Sequence, residues 1–366
     1  MNPTTQIGVI GCGTISDAYF STGARFPFFQ IAACADINLQ AARAKAEQWH
    51  IPRACSVEEL LADDSIEFVI NLTVPQAHGP VMLSCLEAGK SVYTEKPFTV
   101  TREEARQINQ LAQAKGLRVG SAPDTFLGGS HQTCRQLIDE GAIGEIVGAS
   151  AFMVGSGHES WHPSPEFYYQ RGGGPMFDMG PYYLTDLVQL LGPVKSVSGH
   201  ARTTYEQREI TSEPKRGQMM NVEVPTHIVG TFEFRSGALA TINMSFDVWN
   251  HRLPVLEIYG TEGTLYVPDP NGFGGEVTMK RRRDEEVVVP LTHPYTENAR
   301  GIGMADMVRA MQTGRDHRCN ERLAYHVLDL MHAFHDASDN HTQVQIESFC
   351  ERPAMLPIGL AEGELD

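Results

Sequence analysis

The chain has 366 residues, of which 42% are hydrophobic and 20% charged, and its formal net charge is −16. This length exceeds what one hydrophobic core usually supports, so we expect two domains with the composition of an ordinary soluble globular protein. The acidic charge excludes a nucleic-acid surface, whose footprint is basic, and no apolar run is long enough to span a membrane.

The seven cysteines are scattered along the chain and contain no CxxC pair. Several of them lie in apolar segments, so we interpret them as reduced and mostly buried thiols. No basic-then-apolar signal sequence precedes the first predicted strand. These features together predict a cytoplasmic protein.

The first predicted strand ends at Ile10 and runs directly into a glycine turn. In a dinucleotide-binding unit, Gly11 allows the tight bend and Gly13 lets the backbone approach a pyrophosphate. Ser16 takes the small third position, where the following helix packs close to the strand. That helix, predicted over 15–25, presents its N-terminal N–H groups and positive dipole to the phosphates.

A second predicted strand, over 30–35, ends at Asp36. An acidic side chain at this place accepts hydrogen bonds from the ribose hydroxyls of NAD. The alternative interpretation is a glycine-bearing loop beside a solvated acid. We favour the nucleotide interpretation because the strand, the turn, the helix and the acid occur in the required order.

Strands and helices continue to alternate as far as residue 122. The later predicted elements are the helix 39–49, the strand 68–72, the helix 81–87, the strand 91–94, the helix 102–114 and the strand 117–120. This alternation predicts a doubly wound parallel α/β sheet, the Rossmann arrangement, and an NAD(P)-binding domain over residues 1–122.

Residues 123–366 follow a different pattern and are predicted to form an α+β domain for substrate binding and oligomerisation. The predicted strands are 226–234, 239–246 and 255–259, and the predicted helices are 129–140, 176–191, 302–312 and 321–337. Consecutive strands without intervening helices imply a large mixed or antiparallel sheet. Helices are expected to cover one face of this sheet and to leave the other face open for a partner.

Glu95, Lys96 and Pro97 follow a predicted parallel strand, at the edge where such sheets bind ligands. An ammonium group at this edge polarises a hydroxyl or carbonyl oxygen and stabilises the alkoxide of hydride transfer. Pro97 restricts Lys96 to extended backbone geometry, which aims the side chain. The alternative interpretation is a solvated lysine.

In the second domain, a glycine loop leads to Asp178 and Tyr182, which are spaced i, i+4. On a single helix they would project from the same face, where they could grip a hydroxyl and transfer its proton. The alternative interpretation is a helix-start acid followed by a core aromatic side chain.

The segment 158–169 combines aromatic rings with hydrogen-bonding groups, a composition that suits the apolar faces and hydroxyl edges of a sugar. Its candidate substrate contacts are Trp161, His162 and Tyr168. His158 and His162 have the spacing of a zinc pair, but no convincing third ligand accompanies them. We therefore predict no metal site.

Six sequence motifs resemble those of a known protein family. They lie at residues 11–16, 74–78, 88–97, 141–146, 172–182 and 259–265. In this order they resemble the Gfo/Idh/MocA family, the glucose-fructose oxidoreductase and inositol dehydrogenase group. The resemblance runs from Ile7 to about Ile346, which is nearly the whole chain.

The resemblance implies an oxidoreductase that transfers a hydride between NAD and a ring carbinol of a sugar, sugar derivative or polyol. It implies Lys96 and Asp178 as catalytic residues and places Tyr182 where family members have a histidine or, in some members, a tyrosine. The opposite charge of Lys96 would favour the phenolate form of Tyr182 and so help it to act as the base. The resemblance also implies a cis Lys96–Pro97 bond and a homodimer or homotetramer formed through the C-terminal sheet.

The expected site has a cofactor part and a substrate part. NAD is expected to contact Gly11, Cys12, Gly13, Thr14, Ile15, Asp36, Thr73, Val74, Pro75, His78, Glu95 and Lys96. The substrate is expected to contact Lys96, Trp161, His162, Tyr168, Asp178 and Tyr182.

Two alternatives stay open at this point. One is an NADP-linked sugar reductase, which Asp36 disfavours because it repels a 2′-phosphate, although Arg43 or Lys45 could compensate. The other is a dinucleotide-binding regulator that catalyses nothing, since a fold alone does not prove an activity.

Overall fold

The computed structural model of the protein describes residues 4–366. The chain divides into two compact units. The first contains the chain up to Gly129 together with Thr292–Tyr325 and Pro353–Asp366, and the second contains Ser130–Leu291 and His326–Arg352. The functional boundary after residue 122 stays a prediction, whereas the compact units interleave because two later segments return to the first unit.

The elements are numbered along the chain. The strands are β1 (Thr5–Ile10), β2 (Phe29–Ala35), β3 (Arg53–Cys55), β4 (Phe68–Asn71), β5 (Ser91–Thr94), β6 (Val119–Ser121), β7 (Ile146–Val154), β8 (Val194–Arg202), β9 (Gln207–Glu209), β10 (Met219–Asn221), β11 (His227–Phe234), β12 (Leu239–Ser245), β13 (Leu256–Gly260), β14 (Gly263–Val267), β15 (Val277–Arg281), β16 (Val287–Val289) and β17 (Val344–Gln345). The α-helices are α1 (Ser16–Gly23), α2 (Leu39–Trp49), α3 (Val57–Leu61), α4 (Pro75–Glu87), α5 (Arg102–Lys115), α6 (Gly129–Asp139), α7 (Gly174–Asp178), α8 (Gly180–Leu191), α9 (Ile302–Thr313) and α10 (Glu321–Asn340).

The first unit is built on a six-stranded sheet with helices between its strands. The strand order is β3-β2-β1-β4-β5-β6, and the neighbouring strands are parallel. This confirms the predicted Rossmann arrangement. Strand β4 is buried at every position, as expected of a parallel strand that is covered on both faces.

The second unit contains a nine-stranded mixed sheet, ordered β16-β15-β14-β13-β7-β12-β11-β8-β17. Strands β7 and β12 are parallel, while the other neighbouring pairs are antiparallel. Helix α10 packs on one face, where Phe334 meets Phe232 at a ring separation of 5.9 Å. On the other face Val229 and Leu239 are exposed. The predicted open-faced mixed sheet is confirmed.

All seven cysteines are buried thiols, and the described part of the chain contains no disulfide. The prediction that the cysteines are mostly buried is therefore confirmed, and their reduced state stays a prediction. Among residues 4–366, no helix combines the length and the apolarity needed to cross a bilayer.

Hydrogen bonds tie the returning segment 292–325 to the sheet of the first unit, and the segment 353–366 to the segment 292–325. At the end of α9, Gln312 donates to the Thr5 hydroxyl at 3.0 Å. His317 lies 2.8 Å from the carbonyl oxygen of Val119. The Tyr295 hydroxyl donates to the Glu364 carbonyl at 2.7 Å. Both returning segments thus belong to the packing of the nucleotide-binding fold.

Asp124 holds the beginning of α9. Its carboxylate is buried and accepts the backbone N–H groups of Gly301 at 2.8 Å and Gly303 at 3.0 Å. Burial raises the pKa of Asp124 to about 6 from its ordinary 3.8, although these two hydrogen bonds oppose the shift. The folded protein therefore binds a proton here more tightly than the unfolded chain does.

Because folding raises the pKa of Asp124, the stability of the protein depends on pH in a predictable direction. The stability that Asp124 contributes is complete below its unfolded pKa and is lost as the pH rises through about 6, a change of roughly 3 kcal/mol. The Asp124→Asn variant lacks the titrating group. Denaturant unfolding of both proteins across this range should show the variant gaining stability relative to the wild type as the pH rises. A difference that does not change with pH would contradict the assignment.

Candidate functional site

The glycine turn after β1 has the backbone geometry predicted for it. Gly11 has a φ of +102°, and a Cβ there would lie 2.6 Å from the backbone of Leu72, so only glycine fits. A Cβ on Gly13 would meet no atom within 4 Å. The Ser16 side chain is buried and donates to the Gly13 carbonyl at 2.7 Å. The turn therefore packs against the backbone of Leu72 at Gly11, whereas the space next to Gly13 is free of protein atoms.

Asp36 is fixed at the carboxyl end of β2 by the same turn. Its Oδ2 accepts the Cys12 backbone N–H at 2.8 Å, and its Oδ1 accepts that of Asn38 at 2.8 Å. Each carboxylate oxygen keeps a further lone pair that a hydroxyl donor can use. The open space above Gly13 and the fixed acid beside it fit the pyrophosphate and the ribose of NAD.

The loop after β4 is organised by two buried polar side chains. Asn71 Oδ1 accepts the Thr73 hydroxyl at 2.7 Å, and Asn71 Nδ2 donates to the His78 carbonyl at 3.2 Å. The His78 ring is buried, with Nδ1 2.6 Å from the Pro97 carbonyl oxygen and Nε2 3.0 Å from that of Thr73. Burial lowers the pKa of His78. This is the geometry of an amide-lined core histidine that joins two loops, and its contact with a cofactor stays a prediction.

Glu95 and Lys96 lie at the carboxyl end of β5, and the Lys96–Pro97 bond is cis, as the resemblance implied. Glu95 Oε1 accepts the hydroxyl of the buried Tyr19 at 2.9 Å. Glu95 Oε2 accepts the backbone N–H of Lys96 at 2.9 Å. Glu95 thus fixes the backbone from which the partly buried Lys96 side chain starts.

In the second unit, the chain separates Asp178 and Tyr182 onto two helices. Asp178 is the last residue of α7, and Tyr182 lies in the first turn of α8, with a break at Met179. The single predicted helix over 176–191 is therefore wrong at this point. The predicted common face of Asp178 and Tyr182 does not arise from one helix.

The aromatic loop, residues 158–169, forms a cluster of stacked rings. His158 stacks on Tyr168 with a ring separation of 3.8 Å and an interplanar angle of 15°. His162 meets Tyr168 edge to face at 5.2 Å. Trp161 lies 5.3 Å from the His158 ring and is 61% exposed. The predicted substrate residues Trp161, His162 and Tyr168 are therefore neighbours, with Trp161 presenting an apolar surface.

His158 also contacts Asp178. Its Nε2 lies 3.6 Å from Asp178 Oδ2, and both side chains are mostly buried. In the sequence, His158 stands out only as half of a zinc pair. In the described residues 4–366, no group of three or more His, Cys, Asp or Glu side chains has the arrangement of a metal site.

Arg208, Glu159 and Asp247 form a buried charge network, the Arg208 network, and its member Glu159 lies in the aromatic loop. Arg208, on β9, forms ion pairs with Glu159 and Asp247, and it donates to the Ser156 carbonyl at 3.1 Å. The Tyr169 hydroxyl donates to Glu159 at 2.8 Å. The three charged side chains are 7–12% exposed. This network could not be found from the sequence, because its members are widely separated along the chain and share no motif.

Two protein-family models match the chain. The model of the oxidoreductase family with an NAD-binding Rossmann fold matches residues 5–122, and the model of the Gfo/Idh/MocA C-terminal domain matches residues 131–266. The chain belongs to the Gfo/Idh/MocA family. The predicted family and the predicted cofactor, NAD, are both confirmed at the level of the family.

Individual relatives carry names of dehydrogenases and reductases. Trans-1,2-dihydrobenzene-1,2-diol dehydrogenase of Mus musculus is 28% identical over 191 residues, covering 51% of this chain and 56% of the relative. The 1,5-anhydro-D-fructose reductase of Ensifer adhaerens is 25% identical over 263 residues, covering 70% and 74%. The chain spans about half the length of the mouse relative and of two Schizosaccharomyces pombe oxidoreductases, at 56%, 54% and 41%.

Solved structures show the same fold. Levoglucosan dehydrogenase, in a complex with NADH and L-sorbose, superposes with a TM-score of 0.82 at 20% identity, covering 95% of this chain and 100% of that one. This chain and the levoglucosan dehydrogenase therefore share a fold.

Proposed function

We propose that the protein is an NAD-dependent oxidoreductase that oxidises a ring carbinol of a sugar, a sugar derivative or a polyol. The observation that carries the proposal lies within the first unit. A glycine turn with a fixed acid stands at the ends of β1 and β2, and a lysine stands at the end of β5, on the same edge of one parallel sheet. Ligands of such sheets bind at this edge.

The first unit would hold the cofactor. Gly13 and the beginning of α1 would take the pyrophosphate, and Asp36 the adenosine ribose. The other cofactor contacts we propose are Gly11, Cys12, Thr14, Ile15, Thr73, Val74, Pro75, His78, Glu95 and Lys96. NAD, when bound, supplies a nicotinamide ring that accepts the hydride of the substrate C–H bond with its electron pair.

The protein's own residues would manage the proton and the charge. Lys96 stabilises the oxyanion that forms as the carbinol O–H bond breaks. Tyr182 receives the hydroxyl proton, and Asp178 orients the ring by accepting a neighbouring hydroxyl. Trp161, His162 and Tyr168 provide planar surfaces for the apolar face of the substrate.

The relatives support a cyclic, hydroxylated substrate. One is named for an anhydro-sugar, one for a cyclic diol, and the solved structure for levoglucosan. The shared feature of these names is a ring that carries a carbinol. We propose the same substrate class for this chain.

Two further properties belong to the proposal. We infer that copies associate as a homodimer or homotetramer through the open sheet face, which is supported by the exposed Val229 and Leu239. We also infer a cytoplasmic location, which is supported by seven thiols without a disulfide in the described chain.

The purified protein should be mixed with NAD or NADP and with panels of pyranosides, inositols, aldonates and cyclic diols. We expect reduced nicotinamide to appear with NAD and at least one ring carbinol. Binding of NAD without turnover on any panel would favour a non-catalytic regulator instead.

Asp36 gives a sharper prediction about the cofactor. Two charge-assisted hydrogen bonds to ribose hydroxyls are lost or weakened in Asp36→Asn, and repulsion of a 2′-phosphate disappears. We expect the preference for NAD over NADP, measured as the ratio of dissociation constants, to fall about 10-fold or more. Asp64→Asn, an exposed acid of the same unit, is the matched control. An unchanged ratio in Asp36→Asn would remove Asp36 from the ribose site.

A further inference from the structure

We propose that His158 and Asp178 form a proton-handling pair, in which His158 is a titrating positioning residue that acts through Asp178. The inference rests on the proposed function, because that function places Asp178 against the substrate. His158 Nε2 and Asp178 Oδ2 are 3.6 Å apart, which is an ion-pair distance.

The orientation of His158 is set by aromatic rings on three sides. Tyr168 stacks on it at 3.8 Å, Phe246 meets it edge to face at 4.6 Å, and Trp161 lies at 5.3 Å. The backbone N–H of His158 donates to the Tyr169 hydroxyl at 3.3 Å. The imidazole is therefore held with Nε2 within ion-pair distance of the Asp178 carboxylate.

The negative charge of Asp178 favours the protonated form of the His158 ring. Asp178 faces it from α7, and the Arg208 network beneath the loop carries one positive and two negative charges, a net negative charge. The titratable groups in contact with His158 are Asp178, Tyr168 and the Tyr169 hydroxyl. One contact further away are His162, which meets Tyr168, and the ion-paired Arg208, Glu159 and Asp247, which the Tyr169 hydroxyl joins through Glu159. A carboxylate 3.6 Å from Nε2 stabilises an imidazolium.

The pair completes the proton balance of carbinol oxidation. The C–H bond breaks and its hydride leaves with both electrons to NAD, while the O–H bond breaks and its proton must leave the site. The proton that Tyr182 has taken from the carbinol passes to Asp178 and from there to His158 Nε2, which leaves Tyr182 and Asp178 ionised again and His158 cationic. Loss of that proton to water restores the pair. An imidazole suits this role because its ordinary pKa lies near neutral pH, unlike that of the phenol at position 182.

Kinetics against pH test the role of His158. We expect kcat/KM of the wild type to show a limb that titrates near the ordinary range of an imidazole, and His158→Gln to lose this limb and about 10²-fold of its activity. Tyr182→Phe should keep the limb at lower activity. His251→Gln, an exposed histidine of the same unit, is the control. A limb that persists in His158→Gln would overturn the proposal.

A second measurement does not depend on turnover or on the folding of His158→Gln. Histidine NMR titration should show the His158 midpoint falling by about one pH unit in Asp178→Asn, since the carboxylate stabilises the cation. An unchanged midpoint would overturn the pair. A shifted midpoint in a protein that oxidises nothing on the panels would count against the proposed function and leave the pair standing.

Discussion

Replacing Lys96 with alanine is expected to lower turnover about 10²–10³-fold or more while NAD still binds. The ammonium group is proposed to stabilise the oxyanion of the substrate, and removing one such donor costs about this much in other enzymes. Most of the proposed cofactor contacts, including Asp36 and the glycine turn, are untouched by the change. Steady-state kinetics and NAD titration by protein fluorescence measure the two effects separately.

Lys115→Ala is the matched control for this variant. Lys115 is exposed at the end of α5, where its ammonium donates to the Glu87 carbonyl at 2.9 Å. We expect its kinetics to equal those of the wild type. Turnover of Lys96→Ala within about threefold of the wild type would remove Lys96 from the catalytic residues.

Replacing Arg208 with methionine is expected to destabilise the second unit by about 3–5 kcal/mol. The change leaves the carboxylates of Glu159 and Asp247 buried without their cation, and charges left in that state are strongly unfavourable. It also removes the bond to the Ser156 carbonyl that holds the aromatic loop. Urea unfolding followed by tryptophan fluorescence measures the loss.

Two comparisons separate this explanation from a simple loss of side-chain volume. Arg216→Met removes an exposed ion pair with Glu213, and it should cost at most about 1 kcal/mol. Adding Glu159→Gln and Asp247→Asn to Arg208→Met should recover part of the stability, because the unpaired charges are then gone. No recovery in the triple variant would show that the charges are not the cause.

Local patterns in the sequence predicted most of the fold. The predicted strand over 91–94 and the predicted helix over 39–49 have the bounds of β5 and α2. Continuous apolar runs between turns identify buried parallel strands, and glycine or acidic residues mark where they end. The short β3 and α3 were missed, since three to five residues carry too little periodicity to predict an element.

In the candidate site, too, some features could be predicted from the sequence and others could not. Motifs that are contiguous in sequence, such as the glycine turn and the Glu95–Pro97 phrase, could be predicted, because one stretch of backbone determines their geometry. The break at Met179 could not, since periodicity runs through it. The contact of His158 with Asp178 joins a loop to the end of α7, and the Arg208 network joins β9 to residues 159 and 247. Both depend on segments that meet only in the folded chain.

The interleaving of the two units has a consequence for biosynthesis. During translation, the amino-terminal strands emerge first, yet their unit receives α9 only after β7–β16 have been made, and residues 353–366 only after α10 and β17 as well. The nucleotide-binding unit therefore lacks these later segments while the ribosome is still synthesising the second unit. A chain that ends after residue 122 would lack the partners of Val119, so nascent chains of that length should be sensitive to proteases and dependent on chaperones.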